Sequence, residues 1–521
     1  MLIYAPLLAV LILISAAISI GILRVYRPGF AYAWIIAALG AMAAWSLVLL
    51  STLSAPQIIS LASWELEPYF PSSPGLVVDQ ISWSFSLAIS TLVLSVILTD
   101  SARASEADSS AWAGSLALSG VGIFAVLAEN PLTLLYAWTA IDVTQLVIMR
   151  WRLEPGEGLG KVIIGLSVRM TGIVLLILAM IYIPSSDASL GFQALPSIAG
   201  ILLFLAAGLR LGVLPIRGVY LQDYKLPRSL GSISQLVPAA TSLLLIVRIA
   251  NSSASINFLP LLLVLSWLVA IYGGYLWIIS RDELEGMPYW IIGVGSLAFA
   301  AALKGGIEAS LAWSIVGVLT GGLIFLMSAH QKYSIVFVIL GLVTLSGVPY
   351  TPTSNGMALY SEPYDPLLFV FVLPHALLMA GYLKQGTHER ETLPGVERWV
   401  TIIYPWGLVL LLLAQVLVNW WGVRPTFMPI GGLAALITLV LATLIYWAYL
   451  RGYRIPHLVQ DIFESIISLR WLSRIIESIY TITARILNGV SLVLEGEGGV
   501  LWAIVLLILL IAYFTQVGIG E

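Results

Sequence analysis

The chain has 521 residues, of which 60% are hydrophobic and only 10% charged, with a net charge of −3, and its mean hydropathy is +1.00. Such a balance excludes a water-soluble globule, and no basic tract points to nucleic acid. Cysteine is absent and histidine occurs four times, which excludes disulfides and iron–sulfur clusters and leaves too few ligands for a haem or a metal cluster.

A helix crosses a bilayer core in roughly 20 apolar residues, and the sequence supplies run after run of that length, without the ten-residue alternation of a β-barrel. The expected fold class is therefore all-α integral membrane. About sixteen spans are expected, at 2–22, 30–53, 79–99, 110–128, 131–149, 161–183, 196–216, 229–250, 257–279, 287–303, 308–328, 333–348, 365–384, 399–420, 429–450 and 499–516.

The first span has no positive charge before its apolar core, and Arg24 and Arg27 follow it. That pattern reads as an uncleaved span with its N-terminus outside. Counting onward, the arginines and lysines gather on one side: Arg103, Arg150, Arg152, Lys161, Arg217, Lys225, Arg228, Arg281, Lys332, Lys384, Arg390, Arg398, Arg451 and Arg454. Lys304 and Arg424 are the exceptions, and the asymmetry puts both termini on the outer face.

Spans four to eight (110–250) and nine to thirteen (257–384) read as two copies of a five-helix unit. They follow spans one to three (1–109) and precede spans fourteen and fifteen (385–450). Pro215 and Pro349 fall at matching places in the two units. Broken helices at matching places are the sequence sign of a transport site, because interrupted backbone must face a cavity or protein. Within 451–498, Leu458, Ile462, Ile466, Leu469, Leu472, Ile476, Ile479 and Ile482 recur at three and four. This is an amphipathic helix expected along the cytoplasmic surface, ahead of the last span (499–521).

Few ionisable residues fall well inside the spans: Asp142, Arg169 and Arg210, with Glu308 beside Lys304 at a membrane edge. A charge at the bilayer centre costs about 2.5–3.5 kcal/mol on insertion scales, so these residues are expected to face the interior and pair. Asp142 can take and release protons, whereas arginine stays charged and can only bias a relay. A static ion pair joining three helices accounts for the same residues equally well. His375 stands alone in "LLFVFVLPHALLMAG", as befits a helix-packing hydrogen bonder, and His330, His388 and His457 sit in loop text.

Several segments together carry a family resemblance: "VDQISWSFSLAIS" (78–90), "AENPLTLLYAWTAIDVTQLVI" (128–148), "GLRLGVLPIRGVYLQDYKLPRSLGSISQLVPAATSLLLIVR" (208–248) and "GVPYTPTSNGM" (347–357). In order and spacing they resemble the antiporter-like, proton-conducting membrane subunits of the respiratory complex I superfamily. That superfamily includes Mrp-type antiporters and energy-converting hydrogenases. The resemblance implies two inverted five-helix repeats, no redox cofactor in the chain, a prokaryotic cell membrane, and similar hydrophobic subunits as partners.

The departures from the family pattern are as informative. The family's glutamate after the tryptophan is Thr139, with Asp142 one turn later on nearly the same face. Its lysine of the first broken helix is Arg210, and the histidine beyond the proline is Arg217. Further lysine and histidine positions fall on Ala240, Gly317, Gly321 and Met357. Alanine, glycine and methionine cannot relay a proton, although glycine leaves room for water. The expected function is a membrane-arm subunit of an ion-translocating redox or antiporter complex whose own proton path is impaired or lost. The alternative is an active translocating subunit or secondary transporter that works through Asp142, Arg169 and Arg210.

Overall fold

The computed structural model describes residues 4–27, 30, 32–60, 73–103, 108–152, 157–183, 191–192, 195–213, 226–250, 255–327, 334–360, 366–388, 397–422, 429–452, 478 and 485. The chain divides into two compact units, Met1–Ile455 and Pro456–Glu521. In the second, only Ser478 and Arg485 are described, both helical and exposed. The expected surface helix and last span thus lie outside the described residues.

The first unit is an all-α membrane bundle. Its helices are α1 (Ala5–Tyr26), α2 (Ala33–Ser51), α3 (Gln80–Asp100), α4 (Ser109–Val126), α5 (Pro131–Arg152), α6 (Glu157–Ile181), α7 (Ser197–Leu211), α8 (Arg228–Arg248), α9 (Ser255–Ile279), α10 (Glu283–Lys304), α11 (Gly306–Leu326), α12 (Ser334–Leu345), α13 (Val372–Thr387), α14 (Arg398–Leu417) and α15 (Pro429–Leu450). Eleven contain stretches long and apolar enough to cross a membrane, while α7, α12 and the apolar part of α6 are shorter.

Local chemistry sets several starts. The Asp79 carboxylate accepts from the Ser82 backbone at 2.9 Å, and the Ser82 hydroxyl accepts from the Asp79 backbone, closing a capping box on α3. Asp108 caps α4 and Asp282 caps α10 in the same sense. Each cap satisfies amides that have no partner in the first turn.

Burial grades the helices. In α11 every apolar-window residue is inside, and α3, α8 and α10 are nearly as buried, whereas α1, α2, α14 and α15 keep large apolar side chains at the surface. That is the expected division between a protein-facing centre and a lipid-facing rim. Helix α4 packs on α8 and α9 on α13, and α8 also packs on α10 and α11.

One element goes beyond the sequence expectation. β1 (Gln57–Ser60) and β2 (Gly75–Val78) pair antiparallel beside the start of α3. The short runs "QIIS" and "GLVV" are rich in β-branched residues, and pairing satisfies their backbone groups where no helix begins.

The breaks also differ in detail from the proline signal. Helix α7 stops at Leu211, because Gly212 takes a left-handed φ of 78° as its C-cap. Helix α12 stops at Leu345, and Gly347 follows with φ 71°. Only glycine enters that region without steric cost. Pro215 lies outside the described residues, and Pro349 is in the turn after α12.

Candidate ion-path site

Asp142 sits mid-way along α5, Arg169 mid-way along α6, and Arg210 in the last turn of the short α7. The structure brings all three together. Arg210 grips the carboxylate with both terminal nitrogens, Nη1 to Oδ2 at 2.7 Å and Nη2 to Oδ1 at 3.0 Å. Arg169 Nε approaches Oδ1 at 3.1 Å from the other side. Asp142 is fully buried and Arg210 nearly so.

Two further contacts fix Arg210. Its guanidinium lies over the Trp138 ring, 4.4 Å from the centroid, and Nη1 reaches the Arg169 carbonyl at 3.3 Å. A bidentate fork with a ring beneath it is the geometry that arginine fills and lysine does not. Gly172 on α6 makes the approach possible, since a Cβ there would stand 2.9 Å from Arg210 Cγ.

Gln145 completes the cluster: its carbonyl accepts from Arg169 Nη1 and its amide donates to the Ser234 carbonyl on α8. Four helices are therefore tied to one carboxylate. Sequence reasoning had passed over Gln145, although it lies three residues after Asp142 and so on the same helical face.

The remaining expected residues fall elsewhere. Thr139 is exposed and returns its hydroxyl to Leu135 O at 2.8 Å. It stands at the exposed edge of the face that carries Asp142, because three residues of helix turn about 300° and leave the two side chains about 60° apart. Glu308 is exposed in the first turn of α11 and lines a 940 Å³ pocket with Asp79, Lys304 and Asn355, apart from the charged cluster. Arg217 lies outside the described residues.

The substituted family positions are filled with apolar packing. Ala240 is wholly buried and Met357 nearly so. The room expected at the glycines is taken: a Cβ at Gly317 would stand 2.7 Å from Val294 Cγ1, and one at Gly321 would stand 2.5 Å from Trp290 Nε1. Trp290 Nε1 donates to Gly317 O at 2.9 Å and so holds the indole in that space. Glycine here admits a neighbouring side chain, which corrects the expectation of space for water. Among the described residues with side chains, neither lysine is mid-span: Lys304 ends α10, and Lys384, in the last turn of α13, donates to Ile278 O and Ser280 O at 2.8 and 2.7 Å.

His375 is placed at the second break. Its Nε2 donates to Leu345 O, the carbonyl released where α12 ends, at 2.9 Å. The Trp313 ring meets it edge-on at 4.7 Å, and Tyr360 OH lies 3.5 Å from Nδ1. The histidine thus satisfies a broken helix end, as a lone packing histidine would.

Asp79 and Arg248 pair at the start of α3 and the end of α8. Burial alone would push the Asp79 carboxyl up, but the Arg248 guanidinium and hydrogen bonds from Arg248 and Ser82 outweigh it and hold the group below its ordinary value of 3.8. Both residues stood within the segments that carried the resemblance.

Neither a protein-family model nor a curated protein matches the chain. Solved structures do. A chain of the Mrp complex from Dietzia sp. DQ12-45-1b superposes with a TM-score of 0.70 at 13% identity, covering 98% of this chain and 63% of that one. A chain of the membrane-bound sulfane sulfur reductase, an archaeal respiratory membrane complex, superposes with a TM-score of 0.63 at 15% identity, covering 96% and 99%. The chain shares the fold of these two solved chains. This agrees with the resemblance drawn from the four segments, and the protein spans about 63% of the Mrp chain's length. Within this fold, the Asp142 cluster occupies the end of the first short helix and His375 the end of the second.

Proposed function

We propose that this protein is a membrane-arm subunit of a multi-subunit ion-translocating complex, redox-driven or of Mrp type, and that it serves as a structural and coupling element with its own proton path lost. The neighbouring structures come from multi-subunit membrane complexes, which supports the subunit reading. The observation that carries the loss of the path is the packing at its centre. Trp290 and Val294 fill the positions where the family places titratable side chains, and Arg210 clamps the one mid-span acid of the described residues with both terminal nitrogens.

A relay needs a group that gains and loses its proton and a wet route to the next group. Here the acid's partner keeps its charge at all physiological pH values, and the next positions are alanine, glycine and methionine. The chain holds no cofactor in this reading. It sits in a prokaryotic cell membrane with both termini outside, packs beside similar hydrophobic subunits, and uses the segment 451–498 as a strap to a neighbour.

The test is to purify the protein from its native membrane, size the assembly, identify its companions by mass spectrometry, and reconstitute it for ion-flux assay. Asp142→Asn combined with Arg210→Gln removes one buried pair as a unit, a change that proteins often tolerate. Expected is recovery with other hydrophobic subunits and unchanged flux per assembled complex. Flux abolished in assembled double variant would instead make Asp142 part of a working path.

A further inference from the structure

The ends of α1 and α3 and the starts of α2, α4 and α14 enclose a cavity of 680 Å³ at one face of the bundle. Much of its wall is apolar. Ile20 and Leu23 of α1 and Ile35 of α2 line it with the indoles of Trp34, Trp112 and Trp399. Trp34 Nε1 donates to Ile97 O at 2.8 Å, Trp112 Nε1 donates to Asp100 Oδ2 at 3.1 Å, and Trp34 packs on Trp399 with ring centroids 5.5 Å apart. With both N–H groups bonded within the bundle, Trp34 and Trp112 leave apolar ring to a ligand.

Two acids and two arginines share that wall, and the acids are already engaged. Asp100 is buried and takes the Trp112 bond, while Asp108 caps α4 by accepting from Ser110 N at 3.1 Å and Ser110 Oγ at 2.9 Å. Arg24 touches Asp108 at 3.5 Å with both side chains well exposed, so that pair is loose and open to a third group. Arg27 is exposed, and its guanidinium meets no partner among the described residues.

An apolar track leaves the cavity along the membrane. Ile35, in the cavity wall, is followed by Leu39 and Met42 at spacings of four and three, all three exposed on one face of α2. Guanidinium, aromatic ring and aliphatic stripe follow one another in the order of a phospholipid's phosphate, glycerol esters and acyl chain. A free anion would use the arginines and leave the stripe unused.

We propose that this cavity binds an anionic phospholipid, its phosphate held by Arg27 and Arg24 and an acyl chain laid along Ile35, Leu39 and Met42. A guanidinium fork matches phosphate oxygens and stays charged at every physiological pH. On the orientation proposed above, the cavity faces the cytoplasmic leaflet, whose anionic lipids supply the ligand. The inference asks for the membrane fold alone and does not depend on whether the protein's own ion path is active.

The test places the purified protein, with its native companions, in nanodiscs of phosphatidylcholine and phosphatidylglycerol. A trace of either lipid carries a diazirine in its acyl chain, and the photo-adducts are mapped by mass spectrometry. Expected is labelling of the α2 stripe by the anionic probe well above the zwitterionic one, while the exposed face of α15, Leu436, Val440 and Leu444, labels alike with both. The Arg27 side chain takes no part in core packing, so its variants keep the fold. Arg27→Gln is expected to lower the anionic preference at α2 about five-fold, the contribution of one arginine beside anionic lipid. Arg27→Lys should keep part of it, retaining the charge without the fork. Equal labelling by the two probes, or a preference unchanged in Arg27→Gln, overturns the proposal. So does loss of the preference in excess inorganic phosphate, which would make this a site for a free anion. No labelling of the stripe by either probe would mean that a companion protein covers the cavity, and the lipid assignment would fall.

Discussion

Asp142 is the residue on which the mid-membrane arginines Arg169 and Arg210 converge. It is fully buried, accepts two hydrogen bonds from Arg210 and faces Arg169 Nε at 3.1 Å. Removing one partner of a buried ion pair leaves the other without its counter-charge and costs about 3–5 kcal/mol, whereas removing both together is often nearly neutral. Asp142→Asn alone is therefore expected to lower the thermal unfolding midpoint sharply in mild detergent. The double variant with Arg210→Gln should recover most of that loss, and a double variant no more stable than the single one would show that the pair does not act as a unit. Asp142, Arg169 and Arg210 could be read as partners from the sequence, because charges are rare in apolar text and intramembrane charges seek each other. Gln145 was less legible: an amide has no such rarity, and its role depends on α6 and α8 both facing it, which a linear pattern does not show.

At the scale of elements, the two short helices and the glycines of α11 define the interior. The prolines pointed to breaks in the right neighbourhoods, but glycines set where the described helices stop, Gly212 after α7 and Gly347 after α12. A proline announces itself by type, whereas the residue that takes a left-handed φ is selected by the path of the chain on both sides. The glycines of α11 were misread for a related reason. Gly317 and Gly321 offer space, and the sequence of α11 does not reveal that α10 fills it with Val294 and Trp290. Adding a methyl at Gly321 would drive a Cβ to 2.5 Å from Trp290 Nε1. Gly321→Ala is thus expected to displace the indole from its 2.9 Å bond to Gly317 O and to destabilise the bundle by about 1–3 kcal/mol, the range for overpacking a core. Tryptophan fluorescence and the unfolding midpoint should shift together. An unchanged midpoint would mean that the contact between α10 and α11 yields to an added methyl, and that water could enter it.

At the scale of the whole first unit, ion pairs tie helix ends at both faces. Arg24 meets Asp108, and Arg228 meets Glu283 while donating to Phe325 O at 2.9 Å, at one set of ends; Arg248 meets Asp79 at the other. The alternation of positive loops that was legible in the sequence agrees with helices running up and down between these faces. The Asp79–Arg248 pair gives that arrangement a pH signature. The Asp79 carboxyl is held below its ordinary value of 3.8 in the folded chain, despite burial that acts the other way. Because the folded value is depressed, the native state binds fewer protons there than the unfolded one, and the pair's contribution is fully present above pH about 4. It is lost as the pH falls through the lower, folded value. Asp79→Asn removes that contribution, about 1.5–3 kcal/mol for a hydrogen bond to a charged group. The gap in unfolding midpoint between the parent and Asp79→Asn should therefore be constant from pH 5 to 8 and close steadily below pH about 4. A gap that instead closes as the pH rises would assign the tie between α3 and α8 to a group other than Asp79.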